Sequence, residues 1–181
     1  MESLKTAGEF GVPRCVPPLL QRVLIVDPDE GAVDSLVQLL RSISHCQVWT
    51  ARDETGLAVA SRIAPTILLV EQSAGLDGGD LVRRLRRSQT AVRYSVVMML
   101  TATPTVLTII AARECGAHEV IRKPFGRADL IRRLETVALE PRAWIETETY
   151  IGPDRRRFNS GDYGVVLNRD GDVTGSARAA A

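Results

Sequence analysis

Arg22-Val-Leu-Ile-Val-Asp27-Pro28-Asp29-Glu30 decides how this chain folds. Its apolar run is short, continuous and free of polar alternation, the pattern of a strand covered on both faces. Asp27 to Glu30 supply a turn, a capping carboxylate and an early acid. Val33, Leu36, Val37, Leu39 and Leu40 then recur at helical spacing. A strand that runs at once into an amphipathic helix is the repeating unit of a parallel sheet.

The unit recurs down the chain. Gln47–Ala51 reads as a strand and Glu54–Ile63 as a helix; Thr66–Val70 is a strand after Pro65, and Gly78–Arg87 a helix rich in arginine. Ser95–Leu100 is the most apolar strand. A helix from Thr105 to Cys115 follows, stopped by Gly116, and Glu119–Arg122 is the last strand before a helix ending near Ala138. Five repeats predict an α/β fold with a doubly wound parallel sheet. The boundaries are a flexible leader over 1–20, a domain over 21–138, and an arginine-containing C-terminal extension over 139–181. That extension has too few large apolar groups for a second core, so it is expected to be flexible without a ligand.

Composition narrows the class. Lysine plus arginine number 23 against 22 acids, so the net charge is +1 and the whole molecule has no pull toward nucleic acid or membrane. No apolar stretch is long enough to span a bilayer, and the first twenty residues do not read as a signal peptide. Cys15, Cys46 and Cys115 are an odd, scattered set, read as reduced thiols filling apolar space in a cytoplasmic protein. His45 and His118 have no acidic, Ser or Cys partner at a catalytic spacing, so both read as surface or loop residues.

In parallel α/β sheets the functional site lies at the carboxyl ends of the strands. Those ends carry Asp27 with its neighbour Asp29, Glu71, Thr101 and Lys123. Together with Asp77-Gly78, Met99-Leu-Thr101-Ala102 and Lys123-Pro124-Phe125, they resemble the receiver domain of two-component response regulators over residues 21–138. The resemblance implies a flavodoxin-like fold with strand order 2-1-3-4-5. It also implies a site where an aspartate after strand three accepts a phosphoryl group from a histidine kinase, with magnesium, a lysine and a hydroxyl neutralising charge.

Four residues or stretches depart from that pattern. Glu71 stands where the acceptor aspartate is expected, and its extra methylene carries the carboxylate outward by roughly 1 Å, a shift such chemistry tolerates poorly. Pro28 replaces the second acid after strand one, so a magnesium ligand is lost and Asp27 is at most a residual one. The Glu71–Asp77 loop is shorter than the family's and lacks its Met-Pro pair, and Val120 replaces an aromatic switch residue. The site reads as retired: no catalysis, no required cofactor and no metal. Glu71 is then either a permanent phosphate surrogate paired with Lys123 or a polar remnant.

The extension carries Tyr150-Ile-Gly-Pro-Asp154-Arg155-Arg156-Arg157-Phe158. Three arginines offer planar forks for phosphates or guanine edges, Tyr150 and Phe158 offer stacking surfaces, and Asp154 offers an acceptor. Arg155-Arg-Arg-Phe158 resembles the arginine motif of PilZ domains. The layout is similar to chemotaxis-regulator-like cyclic di-GMP effectors, some of which act at the flagellar motor switch. That resemblance implies a ligand site of Tyr150, Asp154, Arg155, Arg156, Arg157 and Phe158 for cyclic di-GMP. The implied partner is a protein such as a motor switch component or a histidine kinase, with no nucleic acid and no membrane insertion. Two alternatives stand beside it: a pseudo-receiver making only protein contacts, and a working phosphoacceptor through Glu71 or Asp29. Arg83 to Arg87 and Arg132-Arg133 read as solvated helix faces.

Overall fold

The structure, a computed structural model, describes residues 11–158. Five parallel strands form the central sheet: β1 (Arg22–Val26), β2 (Gln47–Ala51), β3 (Ile67–Glu71), β4 (Val96–Thr101) and β5 (Glu119–Arg122), in the order β2-β1-β3-β4-β5. This is the flavodoxin-like doubly wound order. Five helices connect and cover them: α1 (Glu30–Arg41), α2 (Gly56–Ile63), α3 (Gly78–Arg86), α4 (Val106–Cys115) and α5 (Arg127–Leu139).

Alternation along the strands sorts the core into two layers. Leu24, Val26, Leu68, Val70, Val97, Met99 and Val120 pack with α2, α3 and α4. Val23, Ile25, Ile67, Leu69, Met98, Leu100 and Ile121 pack with α1 and α5. Helix ends follow local chemistry: the Asp29, Asp77 and Thr105 side chains accept from the backbone N–H groups of Ala32, Asp80 and Thr108. Gly78 begins α3 where a Cβ would lie 2.3 Å from the Glu71 carbonyl oxygen, an approach only glycine permits.

Two boundary expectations need correction. The leader does not float over residues 11–20. Val12, Val16 and Leu20 are fully buried in the α1/α5 layer, and a short 3-10 turn at Pro17–Leu20 leads into β1. Apolar side chains at a four-residue spacing are the signal that the scatter of Gly and Pro obscured. Residues 1–10 lie outside the described residues.

The extension, too, is folded as far as it is described. β6 (Trp144–Glu146) and β7 (Ile151–Pro153) form an antiparallel hairpin, and Phe158 is buried in the layer beneath α2, α3 and α4. Phe158 shares the domain's core, and Trp144 packs on Tyr94 and over Arg86. Residues 159–181 lie outside the described residues. No described helix is long and apolar enough to cross a membrane, and Cys15, Cys46 and Cys115 are free thiols.

Candidate functional site

The parallel register delivers the expected residues to one edge. Val26 pairs with Val70, Glu71 with Leu100 and Thr101 with Arg122, so Asp27, Glu71, Thr101 and Lys123 all emerge at the carboxyl ends of adjacent strands. Asp27 is buried. Its Oδ1 accepts from the Asp29 N–H at 2.9 Å and its Oδ2 from Lys123 Nζ at 2.5 Å. Glu71, also buried, places Oε2 2.5 Å from the same ammonium, but at an angle that forms no hydrogen bond. One lysine thus closes on two carboxylates.

Burial lifts the Glu71 carboxyl above the ordinary glutamate value; Lys123 opposes that lift, while Asp27 and Asp29 add to it. Burial alone would lower Lys123, but its contacts with the Asp27 and Glu71 carboxylates outweigh it and leave the ammonium raised. Lys123 therefore stays charged through the neutral range. Thr101 is buried, and its Oγ1 accepts from the Thr103 N–H at 3.2 Å. Asp29 is brought near but faces away, because its Oδ1 caps α1. Behind Thr101, a void of only about 10 Å³ borders Val120. That is room for about one water, and valine has no ring to swing through it.

A receiver-domain family model, described as the response regulator receiver domain, matches residues 23–135. The chain belongs to this family. It is 30% identical to the transcriptional regulatory protein TrcR of Mycobacterium tuberculosis over 115 residues, covering 62% of this chain and 43% of TrcR. Over 117 residues it is 31% identical to the sensory transduction protein RegX3 of Mycobacterium tuberculosis, covering 64% of this chain and 49% of RegX3. The chain therefore spans about half the length of these relatives. A putative response regulator from Chloroflexus aurantiacus superposes with a TM-score of 0.60 at 27% identity, over 66% of this chain and 98% of that one. A CheY-like receiver protein from Methanospirillum hungatei, at 24% identity and a TM-score of 0.59, shares the fold over 67% of this chain and 95% of its own.

Receivers use a divalent cation, and this site does not fit one. Both Asp27 oxygens are engaged, Pro28 offers no side-chain oxygen, Asp29 caps a helix, and the Lys123 ammonium lies between Asp27 and Glu71. Among the described residues no cluster of three or more His, Cys, Asp or Glu side chains could hold a metal.

The arginine motif is arranged differently from a stacking site. Tyr150 and Phe158 are buried, so neither offers a free ring face. The Tyr150 hydroxyl donates to the Pro153 carbonyl at 2.6 Å, and burial pushes its pKa up to about 12. Arg155 pairs with Glu114 and lies over the Tyr150 ring, while Asp154 accepts from the Arg156 N–H. Arg156 is exposed; the Arg157 side chain lies outside the described residues.

Sequence reasoning missed a second charged cluster. Arg86 is not a solvated face residue but 1% exposed. It donates to the carbonyls of Gly116 (2.8 and 3.0 Å), Arg93 (2.6 Å) and Ser95 (2.8 Å), under the Trp144 ring. Arg133 is buried as well, and with Arg142 it holds fully buried Glu119. Helical spacing held the clue: Arg86 lies four residues after Val82, and Arg133 three after Leu130, on core-facing stripes. His118 sits in the loop before β5, where its Nδ1 accepts from the Val97 N–H at 3.1 Å. Burial, reinforced by Arg86 and Arg142, holds its pKa well below the histidine range.

Proposed function

We propose that this protein is a signalling receiver that works without phosphorylation, presenting one fixed state of its surface to a protein partner and catalysing nothing itself. The observation that carries this reading is the Asp27–Lys123–Glu71 arrangement. The lysine that would meet a phosphoryl oxygen is already held by two carboxylates at 2.5 Å. A phosphoryl group brought to Glu71 would have to displace that contact without a metal to absorb its charge. Glu71 acts as a built-in partner for Lys123, and Val120 leaves no ring to report a change. Partner choice then depends on when and where the protein is made, or on a ligand elsewhere on its surface. Incubation with acetyl phosphate and magnesium, followed by intact mass measurement, tests this. No phosphoryl adduct is expected, and a stable adduct on Glu71 or Asp29 would refute the reading.

A second reading gives the arginine turn a nucleotide ligand: cyclic di-GMP bound through the extension and relayed to a protein such as a flagellar motor component. It is supported by Arg156, which is exposed and makes no ion pair among the described residues. The engagement of Asp154, Arg155, Tyr150 and Phe158 within the fold weighs against it. Titration with cyclic di-GMP, with GTP and cyclic di-AMP as controls, separates the readings. Selective binding lost on replacing Arg155, Arg156 and Arg157 by alanine supports the nucleotide effector.

A further inference from the structure

At the end of the sheet opposite Lys123, the last half of α3 meets the turn between β6 and β7. Arg83, Arg86 and Arg87 line a cleft there with Glu114, Thr149 and Tyr150. Arg83 and Arg87 stand about one helical turn apart, so their side chains leave α3 on the same face. Both are exposed, and neither guanidinium makes a hydrogen bond or ion pair among the described residues. Arg84 differs, being paired with Glu54 and Asp80.

The floor of the cleft adds charge. Every hydrogen bond of the buried Arg86 guanidinium is to a backbone carbonyl or to the His118 ring, and none is to a carboxylate. Burial pulls its pKa down to about 10, which still leaves it charged at neutral pH. The carbonyls at the end of α4 offset part of that charge. Glu114, the one acid in the lining, is itself held by Arg113 and Arg155. What remains facing solvent is two unpaired guanidinium forks beside the exposed Thr149, and such forks match the oxygens of a phosphate.

Size limits the occupant. The cleft holds about 50 Å³, and with ~10–15 Å³ needed per water this is room for about four waters, enough for one tetrahedral oxyanion and too little for a purine. We propose that this cleft binds the phosphoryl group of a small soluble phosphate monoester, gripped by Arg83 and Arg87, with the rest of the ligand in solvent. One wall is the extension and the other is α3, so occupancy fastens the hairpin to the domain. The proposal is independent of the strand-end pocket.

The test is a titration of the full chain with inorganic phosphate and with glycerol 3-phosphate, read by NMR, with potassium chloride at matched ionic strength as reference. Saturable shifts are expected at the Arg83 and Arg87 Nε–H groups and at the Thr149 to Ile151 amides. Binding should weaken about tenfold or more in the Arg83→Gln/Arg87→Gln variant, as the loss of charge-assisted bonds requires. Both side chains are exposed, so the variant keeps its fold, which amide signals far from the cleft verify. Shifts that do not saturate, that chloride reproduces, or that survive the double substitution would overturn the site. Binding of inorganic phosphate without the monoester would overturn the ligand class.

Discussion

At the carboxyl end of the sheet one lysine closes on two carboxylates; at the amino end of β5 two arginines close on one. Asp27, Lys123 and Glu71 leave a negative charge in excess, whereas Arg133, Glu119 and Arg142 leave a positive one. Yet burial raises the carboxyl pKa at both Glu71 and Glu119, so desolvation outweighs the neighbouring cations at either end. The ends differ in access. Lys123 keeps 20% of its side chain exposed, while Glu119 has none and the extension covers it through Arg142. At the carboxyl end the lysine is shared from within by Asp27 and Glu71, and at the other end the buried charge sits where the hairpin docks.

Arg86 offers the strongest way to break that contrast. Replacing it by methionine keeps bulk but strands the Gly116, Arg93 and Ser95 carbonyls, so a loss of about 3 kcal/mol or more is expected in urea unfolding. A loss below about 1 kcal/mol would mean that water already serves those carbonyls. The Phe158→Ala change comes next. A loss of about 3 kcal/mol is expected, the lower end for a buried aromatic. Wild-type stability would show that the extension does not share the core.

The smallest effect sharpens the other end. Because the folded-state pKa of Glu71 is raised, the folded protein holds its proton more tightly than the unfolded chain. This contribution is therefore fully present below the ordinary glutamate pKa and is lost as pH rises through the raised value. Glu119 acts in the same direction. Unfolding free energy measured from the carboxylate range to neutrality should fall less steeply in Glu71→Gln than in wild type. An unchanged slope would show that Glu71 titrates as it does in the unfolded chain.

Much of this was legible in the residues. The apolar run Arg22–Val26 and its four successors carried the sheet, because strands buried on both faces need continuous apolar side chains. The strand-end set was legible for the same reason, since parallel strands deliver Asp27, Glu71, Thr101 and Lys123 to one edge. Arg86 and Glu119 were not, because composition marks charged residues as surface and only tertiary carbonyls and guanidinium groups reverse that. The hairpin was hidden for a related reason. Trp144 and Phe158 look isolated until α3, α4 and Arg142 supply their surroundings.

Magnesium titration of the full chain, followed through the amide signals of Asp27, Glu71 and Thr101, tests the central claim that Lys123 has closed the phosphoryl site. The account predicts no saturable shift in wild type beyond that of an equal ionic strength of potassium chloride. Saturable shifts centred on Asp27, with Lys123 released from Glu71, would contradict it.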